Sequence, residues 1–243
     1  MDTISVIESG MLNDVQRLHT ISHNLANLST TGFKKEIAVT RAFHDYVQGT
    51  ANGSGLDPSV TASPVLGTIT DYTAGALKYS ANPLDVALDG DGYFVVAAPW
   101  GEALTRQGNL SLDVEGRLVT AGGYPVLGAA GEIKLSNATP RIDQQGNIYD
   151  GNSLVDRLRV VQVDDPTSLE RVGGGLFATG ASSGLKEGVD LRVRQGYTEA
   201  SNVTSMHEMI KMIETMRHFE ASQKLARGYN DMLDRAINVL GEL

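Results

Sequence analysis

Apolar residues recur at helical spacing near the start of the chain. The a and d positions of a heptad are held by Ile4, Ile7, Met11, Leu18, Ile21, Leu25 and Leu28, with Asp14 as the one misfit. Ser29, Thr30, Thr31 and Gly32 follow. Because turn-forming side chains that end in a glycine commonly stop a helix, the pattern predicts an N-terminal helix from Thr3 to Leu28.

The end of the chain carries a stronger heptad pattern. Ser205, with Glu208 three residues later, fits a capping box. The a and d positions are then Met209, Met212, Met216, Phe219, Ala226, Leu233, Ile237 and Leu240, with Gln223 and Asn230 as polar a positions. No proline follows Ser205, so we predict one helix of roughly 50–55 Å at about 1.5 Å per residue. A domain of this size cannot bury such a helix by itself.

The residues between these helices show the shorter alternation of β-strands. Val86–Leu88 and Tyr93–Val96 flank Asp89-Gly90-Asp91-Gly92, which predicts a hairpin. Further strands are predicted at Leu110–Val114 and Arg117–Thr120, joined by a turn at Glu115-Gly116, and at Leu158–Val163 and Val189–Val193. Residues 48–63 are small, polar and glycine-rich, which predicts a loop or linker.

The distribution of residue types supports this division. All seven prolines lie between Pro58 and Pro166, whereas all seven methionines lie near the two ends of the chain. We therefore predict an α+β fold in which long N- and C-terminal helices pair as a coiled coil and the middle domain is β-rich and antiparallel. The predicted parts are an N-terminal helix (1–33), an extended linker (34–81), a β-rich domain (82–195) and a C-terminal helix (196–243).

Charge and composition restrict the partners. The formal net charge is -9, which argues against nucleic acid as a partner because phosphate binding needs a basic surface. The chain has no cysteine and no run of about 20 apolar residues, so we expect neither a disulfide framework nor a membrane span. Its first residues lack the basic and apolar regions of a secretory signal, so we expect no cleaved signal peptide.

Motifs for catalysis or metal binding are weak. Asp89-Gly90-Asp91-Gly92 resembles the start of a calcium loop but lacks its later ligands, and His19 and His23 lack the glutamate of a zinc-protease helix. The sequence contains no Gly-x-Ser-x-Gly or Walker motif. A pair of glycosidase carboxylates stays open, although Trp100 is the only tryptophan for stacking on a sugar. We expect no enzyme and no cofactor.

The two amphipathic helices need something to pack against. They either pair within one chain and close a single domain, or they pair and then pack against other subunits. Length favours the second alternative, because an isolated two-helix hairpin would leave much of its methionine-rich face in water. Identical subunits joined by heterologous contacts form rings or helical filaments.

Four segments resemble the flagellar rod and hook proteins. Asn24–Lys34 resembles the signature at the end of that family's first helix, and Gly196–Val203 resembles the motif that precedes its last helix. Asn82–Leu88 with Gly92–Phe94, and Asp165–Phe177, resemble internal blocks of the family. The resemblance spans nearly the whole chain in the right order. Within the family, the short length and the Asn82–Leu88 block are most like one rod subfamily, with a second rod subfamily close behind.

The resemblance implies a structural subunit of the bacterial flagellar basal-body rod. Such subunits are exported by the flagellar type III apparatus and assemble in the periplasm into a helical tube, with the terminal helices inside and the β domain outside. The implied partners are other copies of the chain, sibling rod proteins and the export apparatus. The alternatives are a distal-rod or hook-type axial protein and, more remotely, a β-domain carbohydrate-binding or hydrolytic protein.

The resemblance also implies which residues take part in assembly. They are Asn24, Leu25, Asn27, Thr30, Gly32, Phe33, Lys34, Glu199, Ser201, Asn202, Glu208, Met212, Ile213, Arg217, Phe219 and Glu220. Gly32 can adopt the positive φ that ends a helix, and Asn27 and Thr30 can bond freed main-chain groups. Phe33 is expected to anchor the turn on a neighbouring helix.

Overall fold

The computed structural model describes residues 3–39, 67–137, 139–179, 184–187 and 192–241. They fall into two compact units. The helical unit contains the described residues of 3–26, 36–69 and 204–241, and the β unit contains those of 27–35 and 70–203. The loop predicted at 48–63 and residues 189–191 of the last predicted strand lie outside the described residues.

Two helices make up most of the helical unit. Helix α1 (Thr3–Ala26) ends two residues before the predicted Leu28, and helix α2 (Ser205–Gly241) has 37 residues. The two helices pack against each other, and α1 also contacts strand β1 (Glu36–Val39), which pairs with β2 (Gly67–Thr70). Within the described residues, neither helix has the combined length and apolar content needed to cross a bilayer.

The face of α1 that is shielded from solvent agrees with the heptad prediction. Ile21 is buried, and the partly buried a and d positions are Ile7, Met11, Leu18 and Leu25. The end positions Ile4 and Leu28 are exposed. Asp14, the misfit in the sequence, is 2% exposed and belongs to this face. Its polarity therefore marks a buried contact rather than a break in the pattern.

The shielded face of α2 agrees with only half of the prediction. Met212, Phe219 and Ala226 are partly buried as expected, whereas Met209, Met216 and Leu233 are exposed. The other residues on the face shielded from solvent alternate with Met212, Phe219 and Ala226 along the helix. They are Glu208, which is buried, and Thr215, Ser222 and Tyr229, which are partly buried. The prediction was wrong here because periodicity favoured the more apolar of two overlapping stripes.

The β unit is built from short strands. They are β3 (Leu77–Tyr79), β4 (Val86–Asp89), β5 (Gly92–Ala98), β6 (Gly101–Thr105), β7 (Leu110–Leu112), β8 (Leu118–Thr120), β9 (Arg141–Ile142), β10 (Asn147–Asp150), β11 (Ser153–Arg157), β12 (Val160–Val163), β13 (Leu169–Gly173), β14 (Leu176–Thr179), β15 (Leu185–Glu187), β16 (Arg192–Gln195) and β17 (Tyr197–Glu199). A 3-10 turn, Pro166–Ser168, is capped by the side chain of Asp165. The terminal helices and the β-rich, antiparallel middle are thus confirmed.

The strands form one larger sheet and several small ones. The six-stranded sheet has the order β13-β14-β6-β5-β12-β15, and the three-stranded sheet has the order β11-β10-β9. The remaining pairs are β16-β4, β17-β3 and β7-β8. The hairpin predicted around Glu115-Gly116 is confirmed by the pairing of β7 with β8, in which Leu112 lies opposite Leu118.

The hairpin predicted at Asp89-Gly90-Asp91-Gly92 is wrong. Strands do lie on both sides, but β4 pairs with β16 and β5 pairs with β6 and β12. The segment therefore carries the chain from one sheet to another. Sequence pattern locates a turn, whereas the partner of each strand depends on contacts with distant residues.

Both faces of β5 are buried. Phe94 and Val96 belong to the larger apolar cluster, together with Leu118 and Ile148. The other face contributes to a second cluster, whose buried members are Tyr93, Val95, Leu104, Val161, Val163, Leu169 and Phe177. A central strand that is covered on both faces gives the β unit its core.

Candidate assembly site

The segment Asn27–Lys35 makes a tight turn after α1. The main-chain carbonyl of Asn27 accepts from the N–H of Thr30 at 3.2 Å, and its side-chain oxygen accepts from the Thr30 hydroxyl at 3.1 Å. Gly32 has a φ of 66°, as predicted, and donates its N–H to the carbonyl of Glu199 at 2.8 Å. A Cβ atom at Gly32 would overlap the carbonyl of Arg106. Glycine is therefore required by both conformation and space.

Lys34, Arg106 and Glu199 form a buried ionic cluster. Lys34 Nζ lies 2.6 Å from Glu199 Oε1, and Arg106 Nη1 lies 3.2 Å from Glu199 Oε2. The three side chains are 0–2% exposed. The N–H of Gly75 also donates to Glu199 Oε1 at 2.9 Å, and Lys34 Nζ donates to the carbonyl of Thr73 at 2.8 Å. One carboxylate is thus held by two cations and a main-chain amide.

The three charged side chains of this cluster carry a net positive charge. Burial lowers the pKa of Lys34, although the charge of Glu199 and its hydrogen bond oppose that effect. The guanidinium of Arg106 lies 5.0 Å from the centre of the Tyr93 ring, a cation–π arrangement. Burial raises the pKa of Tyr93 to about 12. Because Lys34 and Arg106 share the single carboxylate of Glu199, the face of the Tyr93 ring helps to stabilise the Arg106 guanidinium.

Phe33 is packed inside the β unit. Phe33 is 4% exposed, and the guanidinium of Arg171 lies 4.8 Å from the centre of its ring. The same guanidinium lies 5.5 Å from the Phe177 ring and donates to the carbonyl of Lys34. The structure thus gives Phe33 contacts within its own chain, while the expected anchoring on a neighbouring helix stays a prediction.

Asn202 joins the second signature segment to the first. Its side-chain oxygen accepts from the N–H of Lys35 at 2.7 Å, and its Nδ2 donates to the carbonyls of Asp71 and Thr73 at 2.9 and 3.2 Å. Lys35 also forms an ion pair with Asp71 at 3.1 Å. Burial would raise the pKa of Asp71, but hydrogen bonds from Thr73 and Lys35 lower it below its ordinary value. The two signature segments are thus bonded to each other directly, by Gly32 and Lys34 to Glu199, and both also bond residues 71–73.

Asn24 and Glu208 meet in the helical unit. The side-chain amide of Asn24 forms two hydrogen bonds with the main chain of Glu36. Asn24 Nδ2 donates to the Glu36 carbonyl at 2.7 Å, and Asn24 Oδ1 accepts from the Glu36 N–H at 2.8 Å. Its Nδ2 also donates to Glu208 Oε2 at 3.2 Å, and Lys211 donates to Glu208 Oε1 at 3.3 Å. The N–H of Glu208 bonds the carbonyl of Thr204. The predicted Ser205–Glu208 capping box is thus wrong, because the carboxylate bonds Asn24 instead.

A second polar contact links the helices at Asp14. Its Oδ2 lies 2.5 Å from Nδ1 of His218, and the side chains are 3% and 67% exposed. Along α1, Asp14 precedes Asn24, whereas along α2 the partner of Asp14, His218, follows the partner of Asn24, Glu208. Two contacts of this kind establish that the helices run antiparallel.

The remaining predicted residues differ in exposure. Leu25, Met212 and Phe219 are partly buried, and Ser201 accepts the N–H of Val203 on its hydroxyl at 3.3 Å. The exposed predicted positions on α2 are Ile213, Arg217 and Glu220. The structure thus brings Gly32, Lys34, Glu199 and Asn202 together in the β unit, Asn24 and Glu208 together in the helical unit, and leaves part of α2 facing solvent.

Several residues of these contacts were absent from the sequence prediction. Arg106 and Asp71 are far along the sequence from both signature segments. The one sequence feature that could have indicated Arg106 is its place as a basic residue directly after the buried end of strand β6. Asp14 had a clear signal, because a polar residue at a core heptad position often has a partner across the helix pair. Within the described residues, no group of three or more acidic, histidine or cysteine side chains could hold a metal ion.

Three family models match successive parts of the chain. They are described as flagella basal body rod protein (residues 4–34), flagellar hook protein FlgE/F/G D1 domain (residues 87–150) and flagellar basal body rod FlgEFG protein C-terminal (residues 194–239). Full-length relatives agree. The chain is 30% identical to flagellar basal-body rod protein FlgF of Mesorhizobium japonicum over 99% of this chain and 98% of the relative. It belongs to the flagellar basal-body rod protein family.

Relatives of two kinds, FlgF and FlgG, match over nearly the whole chain. The chain is 32% identical to FlgG of Bacillus subtilis over 95% of this chain and 96% of the relative, and 33% identical to FlgF of Escherichia coli over 89% of each. The predicted likeness to FlgF, with FlgG next, is confirmed. The family is structural rather than enzymatic, which confirms the prediction that this chain is not an enzyme.

Proposed function

We propose that this rod protein polymerises through α1 and α2, which pair as a coiled coil and pack against other copies and sibling rod proteins to form a helical drive-shaft tube. The proposal takes the terminal helices as the core of the tube and the β unit as its outer layer. A distal-rod or hook-type axial role is the second candidate, and the match of residues 87–150 to the flagellar hook protein FlgE/F/G D1 domain favours its hook-type form.

The exposed apolar face of α2 carries this proposal. Met206, Met209, Ile213 and Met216 are 71%, 52%, 53% and 48% exposed. Their spacing of three and four residues places them on one face of the helix. A contiguous apolar stripe of this kind is costly in water and typical of a protein interface, and methionine adapts to partners of different shape.

The signature residues divide into three roles in this proposal. Asn24, Leu25, Glu208, Met212 and Phe219 shape the helix pair that enters the tube. Residues of the turn and of the second signature segment stabilise the β unit, and they are Asn27, Thr30, Gly32, Phe33, Lys34, Glu199, Ser201 and Asn202. The exposed side chains of Ile213, Arg217 and Glu220 contact neighbouring subunits.

We also propose the route and the place of assembly. The flagellar type III apparatus exports the subunit, and assembly takes place in the periplasmic part of the basal body. Membership of the rod family supports this location. Export is tested separately from polymerisation by measuring the protein in periplasmic and cell fractions of strains with and without a functional export apparatus.

Met209→Asp with Ile213→Asp tests the interface, and Met209→Leu with Ile213→Leu is the matched control. Both positions are exposed in the single chain, so the unfolding temperature of the purified protein should be unchanged in both variants. In a strain of the source bacterium lacking this protein, the aspartate variant should not restore swimming or complete basal bodies in electron micrographs, whereas the leucine variant should. Complete rods built with the aspartate variant would contradict polymerisation through this face.

A further inference from the structure

The face of α2 that meets α1 is the less apolar of two available faces. Both faces share Met212, Phe219 and Ala226. One adds Met209 and Met216, which are exposed, and the other adds Glu208, which is buried, with Thr215 and Ser222, which are partly buried. At about 100° per residue, exchanging one face for the other is a rotation of α2 of about 50° about its own axis.

Apolar burial by itself favours the opposite choice. Turning Met209 and Met216 towards α1 would remove two large apolar side chains from water. It would also turn Glu208 outward, where its carboxylate would be hydrated. Some interaction must therefore hold α2 in the observed rotation.

Two polar contacts from α1 supply that interaction. Asn24 donates to the buried Glu208 at 3.2 Å, and Asp14, 3% exposed, lies 2.5 Å from His218 Nδ1. Rotation of α2 towards its methionine face would carry Glu208 and His218 away together. Asp14 would then remain in the interface without His218, and a buried polar group without a partner is costly. Asn24 would keep its two bonds to the main chain of Glu36 but lose the one to Glu208.

We infer that Asp14 and Asn24 are positioning residues that select the rotation of α2 and so keep Met206, Met209, Ile213 and Met216 facing outward. Polar residues inside an otherwise apolar helix pair are known to specify one arrangement at some cost in stability. The rotation is a property of the single chain. The role of the outward stripe in contacting other subunits rests on the proposed function.

The chain has no cysteine, so a single introduced thiol reports on one position. Met209→Cys reports on the outward stripe and Thr215→Cys on the face towards α1. Each is made in the full-length protein, and its rate of reaction with a thiol reagent is measured. In the unsubstituted background, the thiol at position 209 should react at least tenfold faster than the thiol at position 215.

Asp14→Leu combined with Asn24→Leu is the test background. The ratio of the two rates should fall at least tenfold, because α1 then presents an apolar face that prefers the methionines. Leu18→Ala is the matched control, since it loosens the same helix pair without touching a polar contact, and both rates should rise with their ratio retained. The single substitution Asp14→Asn keeps a polar side chain opposite His218, so the ratio of the two reaction rates should be unchanged.

Three results would overturn the inference. One is a ratio near one in the unsubstituted background, and another is an unchanged ratio in the double-leucine background. The third is reaction of both thiols at the rate of an unfolded peptide in the double-leucine background while Leu18→Ala stays protected, which would assign the contacts to stability alone. These measurements use the unassembled chain, so a failure of polymerisation would not alter them.

Discussion

Removing the carboxylate of Glu199 should destabilise the β unit more than removing the ammonium of Lys34. Glu199 bonds Lys34 at 2.6 Å and Arg106 at 3.2 Å, and all three side chains are at most 2% exposed. Glu199→Gln would leave two buried cations without their anion. Lys34→Met would leave Arg106 and Glu199 as a balanced pair and fill a similar volume.

The magnitudes follow from this imbalance. Breaking a buried ion pair by removing one partner costs about 3–5 kcal/mol when it leaves an uncompensated charge, so Glu199→Gln should cost about 4 kcal/mol. Lys34→Met loses the hydrogen bonds from Nζ to the carbonyl of Thr73 and to Glu199, which is still bonded by Arg106. It also relieves the desolvation that lowers the pKa of Lys34, and this gain offsets most of the loss. Its cost should be about 1 kcal/mol or less.

Urea unfolding monitored by circular dichroism measures both values. With a slope of about 2 kcal/mol per molar urea, Glu199→Gln should lower the midpoint by about 2 M and Lys34→Met by less than about 0.5 M. Hydrogen exchange of peptides from β5 and β6 assigns the change to the β unit. Equal losses in the two variants, or a larger loss for Lys34→Met, would refute the argument from charge imbalance.

Three further outcomes are expected. Gly32→Ala should lower the free energy of unfolding by more than about 1–2 kcal/mol, because the φ of 66° is unfavourable for alanine and the new Cβ would meet the carbonyl of Arg106. Gly10 lies in open space, so Gly10→Ala should instead stabilise α1 by about 0.5–1 kcal/mol. Thermal unfolding of the two variants measures both effects. Burial opposes the low pKa of Asp143, but hydrogen bonds from Asn147 hold it down, so the stability it contributes is present above about pH 4 and lost as the pH falls further; Asp143→Asn should flatten the acid limb of unfolding temperature against pH. The pKa of Tyr93 is raised from 10.0 to about 12, so folding stability should fall as the pH rises between these values, and ultraviolet titration of tyrosinate in the folded protein should show one group ionising late.

The sequence predicted elements better than it predicted their partners. The presence of α1 and α2 follows from the heptad pattern, and the β7–β8 hairpin follows from a local turn signal. The segment Asp89-Gly90-Asp91-Gly92 has equally good hairpin chemistry, yet β4 pairs with β16, more than a hundred residues along the chain. Local turn chemistry fixes where a strand stops, whereas its neighbour is fixed by which apolar faces can be buried together.

Only some residues of the candidate site were named from the sequence, and none of its contacts were. Lys34 and Glu199 both lie in signature segments, but their bond spans 165 residues, and the bond from Arg106 to Glu199 spans 93. Periodicity contains no information on such pairs. The rotation of α2 was missed for a different reason, because two apolar stripes overlap on that helix and the polar contacts that choose between them come from α1.

The arrangement separates two physical demands on a subunit of a filament. Lys34, Glu199 and Asn202 have their polar groups bonded within the β unit, so substitutions there should act through the stability of the single chain. Met209 and Ile213 are about half exposed, so substitutions there should leave that stability unchanged and act on assembly. If the proposed function holds, a subunit that is monomeric before assembly and self-associating in the rod cannot bury its interface in its own core. Polar contacts between α1 and α2 resolve this conflict, because they turn the more apolar face of α2 away from the chain that carries it.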